Sequence, residues 1–181
     1  DIERPLKNGY FSSSWIFSLL KYIPIMKILI TLLTFISFNA FAAATSSKSE
    51  VSIERAEQIN NLYSIAEKHV YNNNYDKSLK LLINLTKNDD LGSKKADIYN
   101  LLGFSYRKSS NPDLDKSYEA YMIALEHNPN HAGAHEYLGE LYMMRGDKDK
   151  AMIMLCKLEN LVGKNAIEYK DLLKAINSYK S

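Results

Sequence analysis

Apolar residues in the last two thirds of the chain recur every three or four positions, the spacing of helices that bury one face. Tyr99, Leu102 and Tyr106 share one such face, and Tyr121 and Ala124 share another after a polar turn. Short connections of this kind join antiparallel neighbouring helices. The pattern therefore predicts helical hairpins.

The hairpin pattern occurs more than once. Residues 99–106 read Tyr-x-x-Leu-Gly-x-x-Tyr, and residues 135–142 read His-x-x-Leu-Gly-x-x-Tyr. Gly103 and Gly139 therefore lie 36 residues apart, and Pro129 stands at the end of the first copy. Internal similarity at this period is typical of a solenoid built from helix–turn–helix units.

These residues match the pattern W-x-x-L-G-x-x-Y…A-x-x-x-F…P, so the chain resembles a tetratricopeptide repeat (TPR) protein. The resemblance implies an all-α fold: a short right-handed TPR solenoid of three helical hairpins plus a C-terminal capping helix. The expected TPR domain covers residues 51–181. Its repeats occupy about residues 59–92, 96–131 and 132–165, and the capping helix occupies residues 166–179.

The small residues of the motif have a mechanical explanation. The two helices of a hairpin approach closely where a side chain is small, so Gly103, Gly139 and Ala66 should mark those contacts. Glycine costs a helix about 1 kcal/mol relative to alanine, and close contact between the helices offsets that cost. Ala66 belongs to a degraded first repeat, where Leu62 and Ile65 share its face, and terminal repeats are expected to be atypical.

The apolar pattern near the C-terminus predicts the capping helix. Tyr169, Leu172 and Ile176 lie on one side, while Lys170 and Asp171 lie largely on the other. Such a helix covers the open end of a stack of repeats and presents a polar face to solvent.

A separate apolar segment predicts a secretory signal peptide at residues 26–42. Met26 and Lys27 precede an apolar run at residues 28–38, and small residues then follow. Cleavage after Ala42 fits those small residues, and cleavage after Ala44 fits equally. The run is shorter than the roughly 20 apolar residues that a spanning helix needs. An uncleaved membrane anchor is the alternative.

The flanking segments give two further expectations. Residues 1–25 are interpreted as an upstream extension or an artefact of the reading frame, with Met26 as the true start. If residues 1–25 are translated, the anchored alternative gains weight. Residues 43–50 are small and polar, and they are expected to form a linker.

Composition and charge exclude one class of partner. A chain of 181 residues with 46% apolar residues suits one globular domain plus a leader. From Thr45 onward the chain holds 19 basic and 19 acidic residues, so the expected domain is formally neutral. Nucleic-acid binding depends on a basic surface that releases counterions, and no such excess is present.

The resemblance also implies a binding surface. In TPR proteins the first helix of each repeat lines a concave face that holds a partner polypeptide. Its mixture of apolar and acidic side chains suits a peptide with apolar anchors and basic residues. Transferred to this chain, that face consists of Tyr63, Glu67, Asn100, Phe104, Arg107, Glu136, Glu140 and Met143.

Two subclasses of TPR protein provide further comparisons. The TPR domains that grip a chaperone's C-terminal carboxylate use a basic clamp, and Glu136 and Glu140 have the wrong charge for it. The chain also looks like small exported bacterial TPR proteins, many of which carry two cysteines in the last loop. Here Val162 and Ala166 stand in that loop, so no disulfide is inherited from the resemblance.

Three histidines and a cysteine are the remaining candidates for chemistry. His127, His131 and His135 have ligand spacing for one helix, but Pro129 interrupts that helix, so metal binding is the weaker interpretation. His135 is instead expected to pack between helices. Cys156 is expected to be a small, partly buried apolar residue.

The sequence therefore favours a non-catalytic protein without a cofactor that binds another protein or a peptide segment. It would be exported, with the periplasm as its location, and would act in envelope assembly, secretion or cytochrome maturation. A membrane-anchored scaffold is the second interpretation. A metal-binding protein or an enzyme that uses His131 and His135 is the third.

Overall fold

The structure, a computed structural model, describes residues 50–88 and 90–178. The chain divides into two compact units, Asp1–Ser52 and Ile53–Ser181, and only the last three residues of the first unit are described. The predicted signal peptide and its cleavage sites lie outside the described residues. So does all but the last residue of the predicted linker.

The described residues form seven α-helices and contain no strand, so the all-α prediction is confirmed. Helices α1 to α6 form three consecutive hairpins, and α7 follows as a single helix. A short 3-10 turn, Gly92–Lys94, precedes the second hairpin. The helices are α1 (50–71), α2 (Tyr75–Leu85), α3 (Lys95–Lys108), α4 (Leu114–His127), α5 (Ala132–Met144), α6 (Lys148–Val162) and α7 (Ile167–Ser178).

Polar side chains fix where the later helices begin. The carboxylate of Asp113 accepts a hydrogen bond from the backbone N–H of Lys116, and Asp147 accepts one from Lys150 in the same way. Each satisfies one of the free N–H groups in a first helical turn. Gly146, with φ of 76°, makes the left-handed turn between α5 and α6.

Small residues bring the two helices of a hairpin together. The hydroxyl of Ser117 on α4 donates to the carbonyl of Gly103 on α3 at 2.8 Å. A Cβ added to Gly103 would lie only 2.6 Å from Cε1 of Tyr121. The first hairpin repeats the hydrogen bond, since Ser78 on α2 donates to the carbonyl of Ala66 on α1 at 3.1 Å.

Gly139 makes a different contact from the predicted one. A Cβ there would lie 2.5 Å from Cδ2 of Leu172, which belongs to α7. The expected contact lay within the hairpin, against α6. In the structure the small residue instead lets the capping helix approach α5, because α7 stacks on the open side of the last hairpin.

Two apolar clusters form the core. One joins the first two hairpins and contains Leu82, Ile98 and Leu102. The other joins the last hairpin to its neighbours and contains Leu138 and Leu172. Leu102 and Leu138 are both buried, as the repeat pattern requires.

The first helix is less buried than the pattern suggests. Ala66 is fully buried, but Leu62 and Ile65 are 36% and 41% exposed. Their counterparts in later repeats pack against a preceding hairpin, and no described hairpin precedes α1. At the other end, Tyr169, Leu172 and Ile176 of α7 are buried, as predicted. None of the helices in the described ranges is long and apolar enough to cross a membrane.

Candidate functional site

The expected binding residues of α3 and α5 meet along one surface, here called the groove: Asn100, Phe104, Arg107, Glu136, Glu140 and Met143. Within it Arg107, Glu136 and Met143 are buried, while Asn100, Phe104 and Glu140 are half-buried. Tyr63 and Glu67 lie on α1, where Tyr63 is half-buried and Glu67 is exposed.

A buried ion pair links α3 to α5 in the groove. Nη2 of Arg107 lies 2.6 Å from Oε2 of Glu140, with the two side chains 3% and 24% exposed. The Arg107 guanidinium also stacks on aromatic rings, 5.4 Å from the centre of Phe104 and 5.6 Å from that of Tyr137. A buried pair must offset the desolvation of two charges, and its additional contacts with the rings help to do so.

Phe104 is the centre of an aromatic cluster. Its ring centre lies 4.8 Å from that of Tyr137 and 6.0 Å from that of Tyr75, at the start of α2. Tyr137 in turn lies 6.2 Å from Tyr121. Burial raises the pKa of Tyr121 and of Tyr137 to about 12, so both hydroxyls stay protonated at neutral pH. The cluster gives the groove an apolar floor.

Glu136 has no such partner. It lies one helical turn before Glu140 and is only 7% exposed, yet its carboxylate forms no hydrogen bond or ion pair with a described residue. Burial and the negative charges of Glu140, Asp171 and Glu168 raise the pKa of Glu136 to about 8, although the Arg107 guanidinium acts to lower it. Most of this carboxyl is therefore protonated at pH 7.

Asn100 provides a second unmatched acceptor. Its Oδ1 is buried and accepts no hydrogen bond within the described part of the chain. The Asn100 amide lies beside the first turn of α5, where a Cβ added to Gly133 would be 3.3 Å from Nδ2. Buried polar atoms normally have a hydrogen-bond partner, and the Asn100 oxygen lacks one.

A polar cluster closes one edge of the groove and includes one of the predicted histidines. Nδ1 of His131 accepts a hydrogen bond from the backbone N–H of Ala134, which caps α5. Nε2 of His131 then carries the proton and donates to Oδ1 of Asp97 at 3.2 Å. Asp97 also pairs with Lys94, whose ammonium lies 5.0 Å from the Tyr63 ring. His131 thus has a structural role that ties α5 to α3.

The other candidates for chemistry occupy separate places. His135 is buried, as expected, and its Nε2 donates to the carbonyl of Pro129 at 2.8 Å. His127 is exposed at the end of α4. Cys156 is exposed rather than partly buried, because it lies on the outer face of α6. Among the described residues, no three His, Cys, Asp or Glu side chains are placed to hold a metal ion.

The groove widens where α3, α5 and α7 end. A hollow of about 400 Å³ opens there, and Lys108 joins it to a second hollow of about 390 Å³ beside the α1–α2 turn. The first hollow is lined by Arg107, Lys108, Glu140, Met143, Met144, Ala175 and Ser178.

Three features of this surface were not anticipated from the sequence. Tyr137 was missed although it directly follows Glu136, since helical register places adjacent residues about 100° apart. Tyr75 was missed because its approach to Phe104 is a contact between repeats. Asp171 was assigned only to the outer face of α7, and its position near Glu136 depends on how α7 lies on α5.

Known structures share this fold. The Yersinia enterocolitica type III secretion chaperone SycD, solved with a peptide of the translocator YopD, is 18% identical; the match covers 68% of this chain and 90% of that one, with a TM-score of 0.55. PcrH, solved with the chaperone-binding region of PopB, is 14% identical, with coverage of 68% and 95% and a TM-score of 0.54. MamA is 17% identical, with coverage of 66% and 74% and a TM-score of 0.50.

No protein-family model matches the chain, and no curated protein matches its sequence. At these identities the structural matches establish the fold, a TPR-like stack of helices.

Proposed function

We propose that this protein is a non-catalytic, exported adaptor that binds a segment of a partner polypeptide in the groove. The location proposed for it is the periplasm. Its work would be to hold or present that segment during envelope assembly, secretion or cytochrome maturation.

The observation that carries this proposal is an aromatic floor beside a buried acceptor that has no donor. Phe104 is half-buried, so part of its ring is available to an apolar side chain. Asn100, one turn earlier on α3, has a buried oxygen without a donor. An extended polypeptide supplies both complements, an apolar side chain and a backbone N–H.

The structural neighbours support the same use of the fold. SycD has been solved with a peptide of YopD, and PcrH with the chaperone-binding region of PopB. Both neighbours are thus known in complex with a segment of a partner protein, which supports the same use of the fold here. Its formal neutrality from Thr45 onward argues for a protein partner over a nucleic acid.

Site-specific photo-cross-linking in intact cells tests the binding surface. A p-benzoylphenylalanine at position 104 should cross-link to one discrete partner, which mass spectrometry identifies. The matched control places the same group at Met122, an exposed residue on the outer face of α4. Equal cross-linking from both positions, or cross-linking from 122 alone, contradicts a groove-bound partner.

N-terminal sequencing of the protein purified from cells tests the proposed export. A chain that starts at Ala43 or Thr45 agrees with cleavage of the signal peptide. A chain that retains residues 26–42 and sediments with membranes contradicts it and favours the anchored scaffold.

A further inference from the structure

The hollow of about 400 Å³ at the ends of α3, α5 and α7 is lined by two cationic side chains, Arg107 and Lys108. The lining also contains the carboxylate of Glu140, which is already paired with Arg107 at 2.6 Å. Lys108 is exposed and forms no ion pair with any described residue. The unmatched charge of this hollow is therefore positive.

The second hollow, of about 390 Å³, continues this positive edge of the groove. Lys108 lines both hollows, and Lys77 and Asp76 line the second. Oδ1 of Asp76 accepts a hydrogen bond from the backbone N–H of Ser110 at 3.1 Å. Lys77 is exposed and has no ion pair within the described part of the chain. The carboxylates along this edge thus have partners within the protein, while Lys77 and Lys108 have no carboxylate partner.

Arg107 has hydrogen-bond donors beside the hollow that lack a good acceptor. Its side chain is only 3% exposed, and Nη2 faces Glu140. Nη1 donates to the sulfur of Met144 at 4.0 Å, and the buried Nε has no hydrogen-bond partner among the described residues. A thioether is a weak acceptor. Met144 lines the hollow and is 53% exposed, so its side chain can give way to a carboxylate, which binds a guanidinium more strongly.

We infer that the first hollow binds an aspartate or glutamate side chain of the partner polypeptide, whose carboxylate pairs with Arg107 and Lys108. The hollow with these two cations is here called the cationic subsite. The inference rests on the proposed function and specifies the chemistry of the partner. The sequence alone favoured basic residues in the partner, whereas the charges at this edge of the groove favour an acidic one.

The cationic subsite adjoins the apolar part of the groove. Lys108 lies one turn after Phe104 on α3, and its ammonium is 5.9 Å from the centre of the Phe104 ring. One helical turn spans about 5.4 Å, and two residues of an extended chain span about 6.6 Å. An extended segment with an apolar residue and an acidic residue two positions apart therefore fits Phe104 and the cationic subsite together.

The main experiment selects binders of the full chain from a phage-displayed library of 12-residue peptides. The strongest binders are synthesised with acetylated N-termini and amidated C-termini, so that every carboxylate belongs to a side chain. Isothermal titration then compares each peptide with versions in which one aspartate is replaced by asparagine or one glutamate by glutamine. One such replacement should weaken binding about tenfold, the loss expected for a close charge pair.

Protein variants assign that loss to the cationic subsite. Lys108→Gln should weaken binding of the acidic peptide about fivefold, and removal of the peptide's charge should then cost about twofold instead of tenfold. Because Lys108 is exposed, its replacement leaves the core intact. Lys157→Gln, which removes an exposed charge from α6, should leave the affinities of both peptides unchanged.

The possible failures separate the inference from the proposed function. Peptides whose binding does not depend on an acidic residue, or keeps its full dependence in Lys108→Gln, overturn the cationic subsite and leave the adaptor function standing. Sedimentation of the free protein as a dimer that Lys108→Gln dissociates would assign the hollow to a second copy and also overturn the subsite. A library in which no peptide binds overturns both.

Discussion

Glu140 and Glu136 are neighbouring carboxylates of α5, but their surroundings differ between the two halves of the groove. Between α3 and α5, Glu140 is matched by Arg107, which is itself stacked on Phe104 and Tyr137. Between α5 and α7, one turn earlier, Glu136 is more deeply buried and forms no ion pair with a described residue. In the first half, the ion pair lies within the protein and links the second hairpin to the third. The second holds a buried carboxyl that is mostly protonated at pH 7.

Removal of Arg107 should have the largest effect on stability. Arg107→Met leaves Glu140 in a partly buried site without its partner, which should lower the free energy of unfolding by about 3 kcal/mol. Urea denaturation at pH 7 measures this. Arg107→Met/Glu140→Leu removes both charges and should recover most of the loss. Arg145→Met, which breaks an exposed pair with Asp115, should cost less than about 1 kcal/mol.

If Arg107→Met and Arg145→Met lowered the free energy of unfolding by the same amount, the contrast between the two halves of the groove would be wrong. The buried pair would then be no more important to the fold than a surface contact. The α3–α5 half could no longer be called the structural one.

Alanine at the two motif glycines should distinguish a rigid contact from an adaptable one. A Cβ at Gly103 meets the Tyr121 ring and the backbone oxygen of Ser117, neither of which can move freely. Gly103→Ala should therefore cost about 2 to 3 kcal/mol. A Cβ at Gly139 meets mainly the flexible end of Leu172.

Gly139→Ala should consequently cost less than Gly103→Ala, while Gly139→Leu should still cost about 1 to 3 kcal/mol by overpacking the contact. Thermal melting of the three variants checks the order. A Gly139→Leu protein whose melting temperature moves by less than about 2 °C would show that α7 does not pack closely on α5.

Glu136→Gln should stabilise the protein at high pH. The carboxyl has a pKa of about 8 when folded and 4.5 when unfolded. Between those values the unfolded chain binds fewer protons, so wild-type stability falls as pH rises from 4.5 to 8. The variant lacks this loss and should be about 1 to 2 kcal/mol more stable at pH 8.5, with little difference near pH 4.

Urea unfolding at both pH values gives that comparison, with Glu126→Gln as the exposed control. A Glu136→Gln protein less stable than wild type at pH 8.5 would mean that the carboxylate already has a good partner.

The titration of His135 should have a smaller effect on stability than that of Glu136, with the opposite dependence on pH. Burial lowers the pKa of His135 and the charge of Lys157 lowers it further, while the hydrogen bond to the carbonyl of Pro129 acts to raise it. The folded chain then binds fewer protons than the unfolded one, so stability falls as pH falls through 6.5. His135→Gln keeps a donor for the carbonyl of Pro129 without this titration. Its stability relative to wild type should rise by up to about 1 kcal/mol between pH 7 and pH 5, as followed by thermal melting.

The repeat period predicted the architecture because every hairpin requires the same kinds of residue where its two helices meet. A small residue at Gly103 and a large one at Leu102 follow from how two adjacent helices meet, and both positions behave as expected. The motif does not specify which helix the small residue faces, so the contact between Gly139 and Leu172 was not foreseen. Burial at the ends was also misjudged, at Ile65 and Cys156, because it depends on whether a neighbouring helix is present.

The sequence allowed us to predict which residues share the groove face, but not which of them contact each other. The register of α3 and α5 identified Asn100, Phe104 and Glu136 as neighbours on one surface. The pairing of Arg107 with Glu140, and the lack of any partner for Glu136, depend on the angle and offset between helices some 30 residues apart in the chain. No local pattern of residues encodes those distances.

The most direct measurement of the central claim uses a synthetic peptide of the partner segment that cross-links to position 104, and maps its binding onto the protein by NMR chemical-shift perturbation. The account predicts that the largest shifts fall on the backbone amides of Asn100, Phe104 and Glu136. Shifts confined to the outer faces of α4 and α6 would contradict the account.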